Sequence, residues 1–485
     1  MTTALFQRCG LRWEARNCTT RRSTARVVLC VSLLLGAATA GAAPLTLSDA
    51  PPVTRWMAPD GIEPLPHTVP APRGPLNLEL VPRPRSVMTP GCNAAGTRGR
   101  VCLVVHTAVV AEAADALDTY ETTLEQEGYD IIRAVYSDGS AAELRAQLAM
   151  LHAEPESLDG AVFIGDIPYV IYEMMLDWDG DGSLPAVYDD FPCDLYFMDL
   201  DGQWTDSTSD GLVEPDNGKL DSHTGGRDLE IWVARLKVDT LGELGSAAEL
   251  INGYIAKRNA FSAAPPDPHA RGLVYNDDDW SCLGQMDAAR LATLYGPAHV
   301  DTVSDAELTT APDYRDDKLQ SEYEFVSVRS HGYFGGHGFY RDNHAVFERV
   351  YSREYNEIQP TARFYSLFVC SGCDYTRNNY LGGTVSMAPD APGLLAIGST
   401  KTGGMFNEDA LYDALSEQES FGNGFRAWFN EMLATRDATE CATWFYGMVL
   451  IGDASLTPST HTPEPTGLLA VLLAGILWRQ SFRCR

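Results

Sequence analysis

The sequence predicts an α/β protein whose mostly parallel sheet is flanked by helices on both faces. Two observations carry that expectation. From Arg100 onward, short β-branched runs alternate with amphipathic stretches of helical period, the pattern of strands joined by crossover helices. The chain of 485 residues is 45% hydrophobic and 21% charged, enough for one large domain or two ordinary ones and too apolar for wholesale disorder. No internal repeat is present.

Taken in order, the first element is an export signal over 1–42. Arg21, Arg22 and Arg26 precede the apolar run Val27 to Leu35, and Ala40-Gly41-Ala42 offers small residues for cleavage. Residues 43–90 are rich in proline, from Pro51 to Pro84, and show neither strand nor helix period; they form a linker or a removable pro-segment. The strands expected after it are 101–106, 131–135, 160–164, 195–198, 230–233, 272–275, 325–328, 365–369 and 394–397. Helices are expected at 111–127, 141–151, 241–257, 286–294 and 408–415. The catalytic or binding body spans 91–457. Residues 458–485 close the chain with Pro463-Glu464-Pro465, an apolar stretch from Gly467 to Trp478, and Arg479, Arg483 and Arg485.

The formal net charge is −30 with a pI near 4.6, so the surface repels polyphosphate and nucleic acid is excluded as a partner. Calcium suits such a surface better. Asp177-Trp178-Asp179-Gly180-Asp181-Gly182 has oxygen donors at alternate positions and glycine for the sharp turn, the first half of a calcium loop. Tyr188 stands where a bidentate glutamate belongs, although Asp189 and Asp190 follow at once. Asp199, Asp201, Asp206 and Asp210 form a second acidic set. The ten histidines and the cysteines show no paired zinc spacing.

Of eleven cysteines, Cys9, Cys18 and Cys30 fall in the leader and Cys484 in the tail, leaving seven. An odd number leaves at least one thiol unpaired even where pairs such as Cys92 with Cys102 form disulfides, and an unpaired thiol in an oxidising compartment invites a catalytic role.

Ligands of open α/β sheets bind beyond the carboxyl ends of the strands, so the residues just after each strand are the ones to inspect. Two of these ends carry chemistry. Glu324 to Arg329 leads through Ser330 to His331-Gly332, and Phe364 to Val369 leads to Cys370-Ser371-Gly372. An imidazole can draw a nearby thiol toward thiolate, and backbone N–H groups at Gly332 and Cys370 can hold an oxyanion.

A strand ending in His-Gly followed by a later strand ending in Cys is similar to the layout of the caspase-like cysteine peptidases. Several further segments resemble the gingipains among them. These are Val162-Phe163-Ile164-Gly165-Asp166, Ile231 to Leu236 with its following helix ending in Tyr254 and Arg258, and Met448 to Leu456 with Gly452-Asp453. Alanine departs from the family at Ala234 and Ala454. The resemblance covers roughly 100–457. It implies a caspase/gingipain-like fold, His331 as general base and acid, and Cys370 as nucleophile, with Cys373 as the alternative. It also implies an acid that orients the histidine, for which Asp278 and Asp279 are the candidates within Asp277-Asp278-Asp279. Trp280-Ser281-Cys282 stands where gingipains carry the acid of a basic P1 pocket, so cleavage after Arg or Lys does not follow. His337 is expected on the substrate wall. The tail resembles PEP-CTERM sorting signals, which implies an exosortase-type partner, a C-terminal helix in the membrane before processing, and a cell-envelope or extracellular destination in a Gram-negative bacterium.

The expected function is therefore a secreted cysteine endopeptidase acting on a protein or peptide substrate. The rival is a catalytically silent calcium-binding surface or adhesion protein on the same fold, which a Cys370–Cys373 disulfide would favour. A transpeptidase shares the dyad and differs in the acceptor.

Overall fold

The computed structural model describes residues 56–71, 73–81, 98–176, 186–305, 307–342 and 344–461, all within one compact unit. The export segment, the Asp177–Asp181 loop and the Pro-Glu-Pro tail lie outside the described residues. Among those described, no helix is long and apolar enough to cross a membrane.

Eleven strands form the central sheet. In chain order they are β1 (Asn77–Val81), β2 (Gly99–His106), β3 (Tyr129–Asp138), β4 (Leu158–Ile164), β5 (Trp232–Leu236), β6 (Gly272–Asn276), β7 (Val300–Val303), β8 (Phe325–Arg329), β9 (Phe364–Phe368), β10 (Leu395–Ser399) and β11 (Met448–Gly452). Across the sheet the order is β1-β3-β2-β4-β5-β11-β10-β9-β8-β6-β7. Strands β2 to β5 pair in parallel, as do β6 to β10; β1 joins β3 and β11 joins β10 antiparallel. Nearly every residue of β4, β5, β6, β8, β9, β10 and β11 is buried, because helices cover the faces of the sheet. The mostly parallel sheet flanked by helices is therefore the architecture that the sequence predicts.

Local signals explain the helix starts. Ser140 and Ser246 each accept a hydrogen bond from the N–H three residues on while Glu143 and Glu249 reach back, closing two capping boxes. The second box starts its helix at Ala247 (Ala247–Ala263), six residues later than the periodicity places it, because Leu241 to Leu244 form a separate turn.

Three further expectations are corrected. Leu195–Met198 is one helical turn rather than a strand; all four residues are buried, and four apolar residues in a row do not distinguish the two. The proline-rich region is not uniformly extended linker, since β1 lies inside it and closes the sheet's edge on β3. The hairpin Ile171–Leu176 with Val187–Pro192, and the three-stranded ribbon His331–Tyr333, Gly336–Arg341 and Val346–Tyr351, are not among the strands the sequence predicts; glycines interrupt the ribbon and its burial does not alternate along the strands.

Candidate active site

The parallel register of the sheet assembles the site. Asn276 of β6 is paired with Arg329 of β8, and Arg329 with Phe368 of β9, while Leu367 is paired with Gly398 of β10. The ladder continues past the strands: the Asp277 N–H donates to the Arg329 carbonyl (2.9 Å) and the Ser330 N–H to the Phe368 carbonyl (3.1 Å). Asp277–Asp279, His331, Cys370 and Thr402 thus follow the carboxyl ends of neighbouring strands on one rim. His331 and Cys370 each stand two residues beyond the paired Arg329 and Phe368. Beneath the rim, the Arg329 guanidinium grips Asp287 at 2.7 and 2.9 Å and Glu408 at 2.7 Å, a buried network that fixes the end of β8.

His331 is fully buried, and its Nε2 donates to Asp279 Oδ2 at 2.6 Å. The Trp280 ring lies 4.6 Å from the imidazole and the Tyr340 ring 5.5 Å away, so the ring plane is held by packing as well as by the acid. Burial works against the Asp279 charge, but the hydrogen bonds and charges of His331 and His344 outweigh it and hold the carboxyl below its ordinary range. Asp278 meets His344 Nδ1 at 3.3 Å instead. Asp277 is buried and accepts the Tyr340 N–H at 2.9 Å; burial, then the charge of Asp278, pushes its carboxyl up to about 8. Of the three aspartates, Asp279 is the one on the histidine.

Gly332 has no room for a side chain. A Cβ there would lie 2.6 Å from Val369 Cγ1 and 2.6 Å from the Gly336 carbonyl oxygen, so the histidine loop can press against the residue before Cys370 only as glycine.

Cys370 is buried, and its sulfur lies 3.0 Å from Thr402 Oγ1 and 4.0 Å from Ser371 Oγ. Burial pushes the thiol up to about 11, with Thr402, Ser371 and Lys401 pulling the other way. Ser371 adopts a left-handed backbone (φ +53°), and its N–H donates to the Lys401 carbonyl at 3.0 Å. Cys373 is packed into the core, where burial drives its thiol far above the ordinary range, and its N–H donates to the Ser399 carbonyl. Both cysteines are free thiols. Cys102 is likewise a free, buried thiol on β2, and Cys92 lies outside the described residues.

His337 is not a wall residue. Its Nδ1 meets Ser330 Oγ at 2.9 Å and its Nε2 meets the Tyr355 hydroxyl at 2.8 Å, and burial lowers its pKa to about 3, so it is a neutral core group. The ribbon that follows His331 turns it inward.

Residues 56–71, with Arg73 beyond them, lie along the same rim. The Met57 N–H donates to the Gly332 carbonyl at 3.0 Å, and the Trp56 ring packs on Tyr333 and Phe334. His67 bridges Asp190 (2.9 Å) and Asp374 (2.8 Å), and Arg73 reaches Asp166 at 3.2 Å.

Among the described residues, two groups of side chains have the chemistry to hold a cation, each with ligand atoms within 4.8 Å of one another: Asp199 with Asp201 and Glu230, and Asp278 with Asp279 and His344. The first is all oxygen, as calcium prefers, although Asp199 already accepts N–H bonds from Asp201 and Gly202 and meets His223. Asp190 is occupied by His67 and Lys219, and Asp206 and Asp210 stand apart from the first group, with Asp206 accepting the Gly218 N–H. Asp177, Asp179 and Asp181 lie outside the described residues. Sequence reasoning missed Thr402 and Lys401, although both follow a predicted strand end and the same rule that found Cys370 points to them.

The family model described as Peptidase family C25 matches residues 103–459. No curated protein matches the chain. A solved structure titled "Structure of Protease" is 13% identical over 75% of this chain and 79% of its own, with a TM-score of 0.49. A 5-methylthioribose transporter solute-binding protein from Thermotoga lettingae is 12% identical over 67% of this chain and 83% of its own, with a TM-score of 0.15.

Proposed function

We propose, from the premise that this chain belongs to peptidase family C25 and is therefore a cysteine peptidase, that it is an exported endopeptidase with His331 and Cys370 as its dyad. The observation that carries the reading is the shared rim: His331 and Cys370 follow paired strand ends, and Asp279 sits on the histidine nitrogen.

With Nε2 given to Asp279, His331 exchanges protons with sulfur through Nδ1. The raised thiol makes this transfer part of the attack rather than a resting ion pair. Sulfur bonds to the peptide carbonyl carbon as its proton passes to His331, and Asp279 stabilises the imidazolium. The oxyanion faces the backbone N–H groups of Gly332 and Cys370. Collapse expels the amine, which takes the proton from His331. Water, deprotonated by the same imidazole, then attacks the thioester and releases the acid and the thiol.

The remaining parts of the reading rest on sequence. Residues 1–42 direct export. Residues 43–90 serve as a pro-segment, a role supported by the hold of Met57 on Gly332, where a substrate backbone would compete. Residues 458–485 are handed to an exosortase-type enzyme, their helix in the membrane beforehand, which delivers the protein to the cell envelope or beyond. Structural calcium belongs to the acidic loops between Asp177 and Glu230, supported by the all-oxygen group at Asp199.

The test is labelling of the purified chain by a panel of thiol-directed peptidyl inhibitors, with mass mapping of the modified cysteine and cleavage of internally quenched peptides. Modification at Cys370 that disappears in His331→Ala, with cleavage lost in both His331→Ala and Cys370→Ala, is expected. A reduced protein that neither labels nor cleaves favours the silent surface protein instead.

A further inference from the structure

We propose that Thr402 is a positioning residue of the nucleophile: its hydroxyl holds the Cys370 sulfur in place and donates a hydrogen bond to the thiolate formed when His331 takes the proton. The inference rests on the assignment of Cys370 made above and adds a fourth strand end, that of β10, to the site.

The geometry begins with distance. Thr402 Oγ1 lies 3.0 Å from Cys370 Sγ, well inside the range of a hydrogen bond to sulfur. A neutral thiol and a hydroxyl can donate either way, but a thiolate has no proton, so the hydroxyl then has to be the donor. Hydrogen bonds to an ionised partner are roughly twice as strong as neutral ones. The contact therefore strengthens as negative charge develops on sulfur.

Its position is imposed by backbone rather than by chance packing. Strands β9 and β10 are paired in parallel, and beyond their ends the Ser371 N–H donates to the Lys401 carbonyl (3.0 Å) and the Cys373 N–H to the Ser399 carbonyl (2.9 Å). Both bonds lie just after Cys370 and hold the segment that carries Thr402 alongside it. The buried Lys401 ammonium then ties that segment down by donating to the carbonyls of Thr402 (2.5 Å) and Thr443 (2.6 Å). The same ammonium acts on the sulfur as a nearby positive charge, while the half-buried Asp189 acts against it. Threonine is β-branched, so its χ1 is stiff and its hydroxyl stays where the backbone aims it.

Three variants of the full chain separate this role from simple packing. Thr402→Val keeps the shape and removes the hydroxyl, Thr402→Ala removes it without adding a methyl, and Thr402→Ser keeps it. The readout is the rate of alkylation of Cys370 by iodoacetamide as a function of pH, followed on the Cys370 peptide by mass spectrometry so that the exposed Cys282 does not contribute. In Thr402→Val and Thr402→Ala the profile moves to higher pH by about one unit, which near neutrality is about a tenfold slower reaction. Thr402→Ser stays on the wild-type profile, and kcat/KM follows the same order.

A folded Thr402→Val or Thr402→Ala whose alkylation profile overlays the wild type overturns the proposal. A shift in Thr402→Ser as large as in Thr402→Val overturns it too, since packing and not the hydroxyl would be the cause. Alkylation does not require peptide hydrolysis, so these outcomes are separate from the assignment of the nucleophile, which fails if Cys370→Ala retains peptidase activity.

Discussion

At the end of β6, Asp277, Asp278 and Asp279 follow one another with different partners: Asp277 accepts the Tyr340 N–H, Asp278 and Asp279 both meet His344, and Asp279 alone reaches His331. The reason is the backbone. Asp278–Leu283 is a 3-10 helix, in which successive side chains are turned by about 120°. His344 is long enough to meet two neighbours through its two ring nitrogens, but only Asp279 is turned toward His331. The sequence made the acid visible and left its identity open between Asp278 and Asp279, because the choice depends on where that short helix starts. Asp279→Asn keeps the shape and removes the charge that stabilises an imidazolium, so kcat/KM should fall about a hundredfold, the scale of lost acid–base assistance. Asp278→Asn should stay within about threefold of the wild type, since its partner is His344. Steady-state kinetics on one quenched peptide checks both. Equal losses in the two variants would remove Asp279 from the histidine's side. The shared rim of His331 and Cys370 was legible for a simpler reason: each stands just after a strand end, and in a parallel sheet neighbouring ends share a rim. His337 was misjudged because a glycine-rich segment resembles a surface loop, whereas here the glycines let a ribbon fold back and bury the ring.

The segment from Trp56 to Val81 shows what periodicity cannot see. It has almost no regular structure before β1, yet it is tied to the carboxyl rim by Met57, His67 and Arg73. Its order comes from individual polar anchors, which leave no repeating pattern in a sequence. Of these, His67 sets a pH dependence. Burial alone would lower its pKa, but the hydrogen bonds to Asp190 and Asp374 raise it from 6.5 to about 9. The anchor is therefore fully present below about pH 6.5 and is lost as pH rises through about 9. Asp190 works from the other side: burial opposes its charge, yet His67 and Lys219 lower it from 3.8 to about 2, so its share is present above 3.8 and lost as pH falls through about 2. Between these limits the segment is held. Hydrogen exchange of the 56–71 amides should accelerate between pH 6.5 and 9.5 beyond the intrinsic increase, and His67→Gln should exchange at the faster, pH-independent excess throughout. Identical protection in wild type and His67→Gln at pH 6 would mean that His67 does not anchor the segment.

Across the whole molecule, the matched motifs serve the scaffold as much as the site. Arg258, in the second half of the helix Ala247–Ala263 after β5, and Asp453, just after β11, were visible only as pieces of a resemblance. In the fold they form one buried ion pair at 2.6 Å, and the same guanidinium also grips Glu127 at 2.7 and 2.8 Å. It thereby ties the helices Ala114–Gln126 and Ala247–Ala263 to the end of β11. Asp453 also donates its N–H to the Leu394 carbonyl, just before β10, whereas Thr402 and Cys370 follow the other ends of β10 and β9. The clamp is thus at the rim opposite His331 and Cys370. Residues so far apart in sequence can be linked only once the strand order is known, so their partnership was not readable from spacing. Removing one partner of a buried pair leaves an uncompensated charge, at a cost of about 3–5 kcal/mol, while replacing both by apolar groups can be nearly neutral. Arg258→Met should therefore lower the denaturant midpoint far more than Arg258→Met combined with Asp453→Leu, provided that Glu127 is relieved by Glu127→Gln in both. Because the clamp lies at the other rim, alkylation of Cys370 in the folded fraction should keep its wild-type pH profile. An unchanged midpoint in Arg258→Met would remove the clamp as a source of stability, and a Cys370 profile that shifts in that variant would show that the two rims are not separate in function: the family motif at Asp453 would then act on the site as well as on the frame.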